Sequence, residues 1–188
     1  MIRKVDTPHE QPPAAPADQR IVVRQAMPSD ARRIFDIVEP YAREKVLITK
    51  ALIAYFESIQ EFVVADLEIA DGEWLTVGCG ALHVLWDDIA EIRTAAVAQE
   101  FQRRGIGRRV VAELIDRARD FGLTRLFCLT FEVDFFESFG FRVIEGTPVG
   151  TDVYEEMLRS HDDGVAEFLD LARVKPNTLG NSRMLLDL

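Results

Sequence analysis

The sequence from Gln102 to Gly107 reads Gln-Arg-Arg-Gly-Ile-Gly and connects a strand-like run to a helical pattern. The run from Ile92 to Val97 is apolar, and the residues after Ile106 repeat at helical spacing. A glycine turn that opens a helix presents free backbone N–H groups and is suited to binding an anion. Four arginines lie at this helix start, where the helix dipole disfavours cations, so the sequence predicts a diphosphate ligand here: Arg103, Arg104, Arg108 and Arg109.

Two common nucleotide-binding motifs do not fit this stretch. A Rossmann site needs G-x-G-x-x-G, but Val110 stands where the third glycine belongs. A P-loop needs a lysine and a hydroxyl residue after its glycines, but Gly107 is followed by Arg108 and Arg109. A tight turn with a solvated basic helix start remains the alternative to a diphosphate site.

Composition excludes several classes of protein. The net charge of −10 argues against nucleic-acid binding, which needs a basic surface. Cys79 and Cys128 each lie in an apolar run and are predicted to be buried thiols of a reduced compartment, and the three histidines have no metal-ligand spacing. Because no membrane span and no signal peptide are visible, we expect a cytoplasmic protein without a metal or a membrane partner.

The pattern along the chain predicts an α/β fold. Residues 1–20 are rich in proline and are predicted to be disordered, and residues 21–188 are predicted to form a single domain. Strands are predicted at 21–23, 61–67, 75–86, 90–97, 125–130, 141–144 and 183–188. Helices are predicted at 29–43, 47–60, 106–121, 134–139, 152–160 and 162–171.

Three segments resemble the GCN5-related N-acetyltransferase (GNAT) family. Gln102 to Gly107 is similar to its Q/R-x-x-G-x-G/A loop, and Phe135 to Phe141 resembles the F-Y-x-x-x-G-F run after its fifth strand. Ala90 to Val97 resembles the strand before the loop. The resemblance implies a central mixed, mostly antiparallel sheet flanked by helices, with acetyl-CoA as cosubstrate.

The resemblance also implies which residues hold the cofactor. Backbone groups of Ala95 to Val97 would pair with the pantetheine arm like an added strand, and an N–H near Val97 would stabilise the oxyanion. Phe136 stands where many members carry a tyrosine that protonates the departing thiolate, and a phenylalanine cannot donate a proton. The expected cofactor residues are Ala95, Ala96, Val97, Gln102, Arg103, Arg104, Gly105, Ile106, Gly107, Arg108 and Phe136.

Further runs resemble the short, single-domain N-acetylglutamate synthases. They are Cys79 to Trp86, Glu91 to Thr94, Leu129 to Glu132 and the tail from Val174 to Met184. This resemblance implies acetyl transfer to the α-amine of L-glutamate, or of L-glutamine, as the first step of arginine synthesis. Two alternatives stay open: another amine, such as a protein N-terminus or an antibiotic, and a CoA-sensing module without catalysis. The sequence does not determine the oligomeric state, and a homodimer is one assembly compatible with it.

The reaction needs a base, because the amine of an amino acid is protonated at neutral pH. Glu91 lies where family members that acetylate histones carry a general-base glutamate. One alternative is a water molecule as base, and another is a Glu91 that only forms an ion pair with Arg93, which shares its face of the strand.

The two carboxylates of glutamate need cations. Candidates outside the loop are Arg93, Lys45 and Arg183, with Ser182 beside Arg183 at the start of the last strand. Six other residues are predicted to pack or to lie on the surface: Tyr41, Tyr55, Tyr154, Trp74, Trp86 and His83.

Overall fold

The computed structural model describes residues 20–48, 50–171, 174 and 180–188. Apart from Arg20, the predicted disordered segment lies outside the described residues, as do residues 175–179 of the tail. The strands are β1 (Ile21–Gln25), β2 (Phe62–Ala70), β3 (Glu73–Val84), β4 (Ile89–Val97), β5 (Arg125–Thr130), β6 (Arg142–Val143) and β7 (Ser182–Asp187). The helices are α1 (Ala31–Arg43), α2 (Leu52–Glu57), α3 (Ile106–Asp120), α4 (Val133–Glu137), α5 (Thr151–Met157) and α6 (Asp163–Phe168).

The strands form one sheet in the order β1-β2-β3-β4-β5-β7-β6. All neighbouring strands are antiparallel except β4 and β5, which are parallel. The predicted α/β class with a mixed, mostly antiparallel sheet is therefore confirmed. The helix predicted over 47–60 is shorter, because Ala51 is still extended and a 3-10 turn at Ile59–Glu61 follows α2. None of the described helices is long and apolar enough to cross a membrane.

Helix α3 covers one face of the sheet. Its apolar side is buried from Ile106 to Ala118, as its helical spacing predicted. Gly78 and Gly80 of β3 let the helix lie close, because a Cβ there would come within 2.9 Å and 2.8 Å of α3 side chains. This packing fixes the start of α3, and with it the loop from Gln102, against the sheet.

The opposite face carries two separate apolar clusters. One lies under α1 and α2 and includes Phe62, Val64 and Ala81. The other lies under α5 and α6 and includes Ile89 and Phe127. Side chains alternate between the faces of a strand, so Glu91 and Arg93 project towards this side, whereas Ala90 and Ile92 join the cluster under α3. Charged groups therefore lie between the two apolar clusters.

Candidate active site

Strands β4 and β5 separate in the middle of the sheet. Their ladder pairs Ile89–Glu91 with Arg125–Phe127 and stops there. On its other side, β4 has a bulge between Arg93 and Ala96, where Thr94 takes a φ of 57°. Beyond Glu91, β4 keeps β3 as a partner but has no ladder with β5 within the described residues, so Ala95 to Val97 can pair with an amide-bearing ligand on that side.

In the loop after β4, Gly105 adopts a left-handed conformation, which residues with a side chain rarely take. Gly105 has a φ of 77°, and a Cβ built on it would have no atom within 4 Å. Arg103 also has a positive φ, of 60°, so two left-handed residues precede the start of α3 at Ile106. The first-turn N–H groups of α3 lack intrahelical partners and open on the exposed side of Gly105.

The arginines of this loop do not all converge on one point. Arg109 donates to the Ile21 carbonyl of β1 at 3.1 Å, and its guanidinium is thereby directed away from the β4–β5 cleft. Arg108 donates to the Ser138 hydroxyl at 2.7 Å. Arg109 is therefore removed from the predicted four-arginine cluster, and the diphosphate contacts of Arg103, Arg104 and Arg108 stay predictions.

Phe136 lies in the core rather than on an open surface. Its side chain is 6% exposed and packs edge-to-face on Phe135 and Phe141, with ring centroids 5.3 Å apart in each pair. Phe135 lies against the loop, because its Cζ would be 3.8 Å from a Cβ on Gly107. A contact between Phe136 and the cofactor stays a prediction.

Tyr41 connects α1 to the cofactor side of the cleft. Its hydroxyl donates to the Val97 carbonyl and accepts a hydrogen bond from the Gln102 amide at 2.7 Å. The predicted packing role is therefore incomplete. Tyr41 holds together the last residue of β4 and the first residue of the loop.

Glu91 is the most buried charged side chain of the site. Its residue exposure is 3%, and its Oε2 atom has no hydrogen-bond partner among the described residues. Burial raises the pKa of Glu91 to about 7, and Arg93 opposes this only in part. Gly164 of α6 lies directly against the carboxyl, because a Cβ there would be 2.1 Å from Oε2.

Arg93 is held by two other carboxylates. Its Nη2 is 2.8 Å from Glu61 Oε2, and its Nη1 is 3.1 Å from Asp162 Oδ2. The distance from Nη1 to Glu91 Oε2 is 4.0 Å, too long for a hydrogen bond. Glu91 and Arg93 therefore form an ion pair without a direct hydrogen bond, and whether Glu91 serves only as that partner stays open. His83, which we predicted to pack or to lie on the surface, joins this network through Glu61 at 2.9 Å.

The connection between α1 and α2 places Lys50 beside this cluster. Lys50 is half-buried, and burial together with the charge of Arg93 lowers the pKa of its ammonium, which Glu91, Asp162 and Glu61 offset only in part. Lys45, the lysine that the sequence suggested, is exposed just after the end of α1, and its substrate role stays a prediction. Spacing along the chain could not separate the two lysines.

Arg183 is engaged by the backbone. Its Nη1 donates to the Gly146 carbonyl at 2.7 Å, and its Nη2 donates to the Phe168 carbonyl. This geometry favours a role in attaching β7 to the end of α6 over binding a substrate carboxylate. Ser182 lies opposite Thr130 at the cleft end of β5, where an acceptor contact remains a prediction.

Comparisons with known proteins agree with this geometry. The model of the Acetyltransferase (GNAT) family matches residues 30–141. A curated relative from Mycobacterium tuberculosis, named amino-acid acetyltransferase, is 54% identical over 171 residues, which cover 91% of this chain and 97% of the relative.

Two solved structures superpose well on the chain. Rv2747 from Mycobacterium tuberculosis, in complex with CoA and NLQ, has a TM-score of 0.84 at 54% identity and covers 89% of this chain and 99% of its own. N-acetylglutamate synthase from Neisseria gonorrhoeae, complexed with coenzyme A and N-acetyl-glutamate, has a TM-score of 0.69 at 23% identity over 90% of this chain and 35% of its own. The second likeness concerns the fold alone.

Proposed function

The chain belongs to the GNAT acetyltransferase family, as its sequence predicted, and we propose that it transfers the acetyl group of acetyl-CoA to the α-amine of L-glutamate or L-glutamine. With glutamate the product is N-acetylglutamate, formed in the first step of arginine biosynthesis. The observation that carries this proposal is the buried carboxyl of Glu91 at the point where β4 leaves β5. The 54% identity to an amino-acid acetyltransferase supports an amino acid as the acceptor.

The cofactor binds along the exposed, basic side of the cleft. The first-turn N–H groups of α3 and the side chains of Arg103, Arg104 and Arg108 hold the diphosphate. The pantetheine arm lies along Ala95 to Val97, where β4 has left β5. This binding brings the thioester towards the bulge of β4, close to Glu91 in sequence and space.

Glu91 takes a proton from the acceptor ammonium. A base with a pKa near the working pH is both deprotonated often enough and basic enough to act. The pKa of Glu91, raised to about 7 by burial, meets this requirement. The free amine then attacks the thioester carbonyl carbon, and a backbone N–H near Val97 stabilises the oxyanion.

The attack forms the carbon–nitrogen bond, and collapse of the tetrahedral intermediate restores the carbonyl and breaks the carbon–sulfur bond. The amide nitrogen loses its second proton, and the thiolate takes one proton, so one proton is released overall. Phe136 has no proton to give, so the thiolate receives its proton from another donor.

Lys50 is the cation best placed to hold an acceptor carboxylate. Both terminal nitrogens of Arg93 are occupied by Glu61 and Asp162, whereas Lys50 borders both the buried cluster and a groove between α1 and α2. We propose that Lys50 binds one carboxylate and that Arg93 fixes the walls of the site.

A panel of acceptor amines tests the proposal. The purified protein is given acetyl-CoA and, one at a time, glutamate, glutamine, aspartate, lysine, a peptide N-terminus and an aminoglycoside, and the released CoA thiol is measured. We expect turnover with glutamate or glutamine well above the rest. Preference for the peptide or the aminoglycoside would show a different acceptor, and tight CoA binding without any turnover would indicate a sensing module.

A homodimer and a cytoplasmic location stay our predictions. Light scattering on the eluting protein tests the first, and cell fractionation tests the second.

A further inference from the structure

Helix α6 brings a second buried carboxyl to the acceptor side of the cleft. Glu167 is 5% exposed, and its Oε1 atom has no hydrogen-bond partner among the described residues. The Oε2 atom of Glu91 is in the same condition. A buried polar atom without a hydrogen-bond partner destabilises the folded state. Two such carboxyl oxygens in one site therefore indicate that each binds a proton or accepts a hydrogen bond from a ligand during function.

The placement of Glu167 follows from how α6 is attached to β4. Asp162 caps the helix by accepting from the Val165 N–H at 3.1 Å and also accepts from Arg93. Two residues further along, Gly164 contacts the Glu91 carboxyl. Residues three apart share one side of a helix, so Glu167 extends the side of α6 that Gly164 turns to Glu91.

Both carboxyls hold protons more tightly than usual. Burial raises the pKa of Glu91 to about 7, with Glu167 among the groups that raise it further. Burial raises the pKa of Glu167 to about 7 as well, with Asp163 adding to it and Lys50 opposing it. The charged groups around the pair are Lys50, Glu61, His83, Arg93, Asp162 and Asp163.

We propose that Glu167 is a positioning residue for the catalytic base: once ionised, its carboxylate on the side of α6 that faces Glu91 favours transfer of the acceptor ammonium's proton to Glu91. This inference rests on the proposed function. The proton moves from the ammonium nitrogen to the Glu91 carboxylate and leaves to water after the products. Glu167 forms no bond to either substrate.

The variant Glu167→Gln tests this role through the pH dependence of kcat/KM for glutamate. Glu167 is ionised in the upper part of the acidic limb, because its own pKa is about 7, so removing its charge should move the limb to lower pH by up to about one unit. The plateau rate should fall about three- to ten-fold, because a weaker base transfers the proton less readily. The KM for acetyl-CoA should not change. Glu155→Gln, the same change at an exposed position of α5, should reproduce the parent profile.

A lower rate with an unmoved acidic limb would overturn the inference, since a merely structural role lowers activity at every pH. Absence of turnover with any amino acid in the parent would instead overturn the proposed function. In that case thermal unfolding still tests whether burial raises the pKa of the Glu167 carboxyl in the folded protein.

The sign of that unfolding test follows from the raised pKa. A carboxyl with a folded pKa of about 7 and an ordinary value of 4.5 is favoured in its protonated form by the folded state. Its stabilising contribution is therefore present below pH 4.5 and is lost as the pH rises through 7. Glu167→Gln should narrow the difference in melting temperature between pH 5 and pH 8, and an unchanged difference would overturn the inference.

Discussion

The two sides of the cleft are built in opposite ways. The cofactor side is one continuous stretch from Ala95 to Gly107, and its loop is largely exposed and basic. The acceptor side is assembled from β3, β4, α6 and the segments around α2, and it is largely buried and acidic. The flexible anionic cofactor can be held mainly by backbone groups, whereas proton transfer requires side chains that are removed from water.

The largest effect should come from the acceptor side. Glu91→Gln keeps the shape of the side chain but removes its basicity, so kcat should fall about 10²–10⁴-fold. Acetyl-CoA affinity, measured by calorimetry, should stay the same, because the cofactor contacts lie further along β4. Glu73→Gln, at an exposed position of β3, is the matched control and should behave like the parent. Equal loss of cofactor affinity and turnover would mean that the two sides are not separable.

The next effect belongs to the cofactor side. Gly105→Val adds a branched side chain where φ is 77° and where the diphosphate should lie. Losing charge-assisted hydrogen bonds worth about 1.5–3 kcal/mol should weaken CoA binding about 10- to 100-fold. Gly72→Val, in the β2–β3 turn with a φ of 74°, imposes similar backbone strain away from the site. If both variants bind CoA like the parent, the loop is not the diphosphate site.

Arg93→Ala tests the charged wall between the two sides. It leaves Glu61 and Asp162 without their cation, so the free energy of unfolding should fall by about 3 kcal/mol. Because Arg93 fixes the walls of the acceptor site, the KM for glutamate should rise about ten-fold, with the KM for acetyl-CoA nearly unchanged. Arg119→Ala, which breaks an exposed ion pair with Asp116, should change neither quantity. A similar rise for both substrates would show that Arg93 supports the whole cleft and not the acceptor side in particular.

The smallest effect should come from the hydroxyl that joins the two sides. Tyr41→Phe removes one donor to Val97 and one acceptor for Gln102, so the KM for acetyl-CoA should rise about two- to ten-fold. Tyr154→Phe on α5 is the control. An unchanged KM would show that the loop keeps its position without Tyr41.

The same contrast explains what the sequence could predict. The cofactor loop and helix α3 are contiguous in the chain. The glycines predicted the turn and the helical spacing predicted the buried face up to Ala118, but the direction of Arg109 was not predicted. Glu91 was found through the family resemblance, and Arg93 because alternation along the strand puts it on the same face as Glu91. That residues 21–188 form a single domain stays a prediction.

The rest of the acceptor side depends on long-range packing. Glu61, Asp162 and Glu167 are ordinary acidic residues in the sequence, and only the fold brings them to Arg93 and Glu91. Gly164 gave no signal either, since its role is to leave room for a carboxyl that lies 73 positions earlier in the chain.

The pH dependence of kcat/KM for glutamate, compared between the parent and Glu91→Gln, tests the central claim most directly. If Glu91 is the base, the parent should show an acidic limb with a midpoint near pH 7, because the pKa of Glu91 is about 7. In Glu91→Gln that limb should be absent, and the residual rate should rise with pH as the free amine becomes more abundant. A variant that keeps the parent's rate and the same acidic limb would contradict this account and assign the base to another group, such as a water molecule.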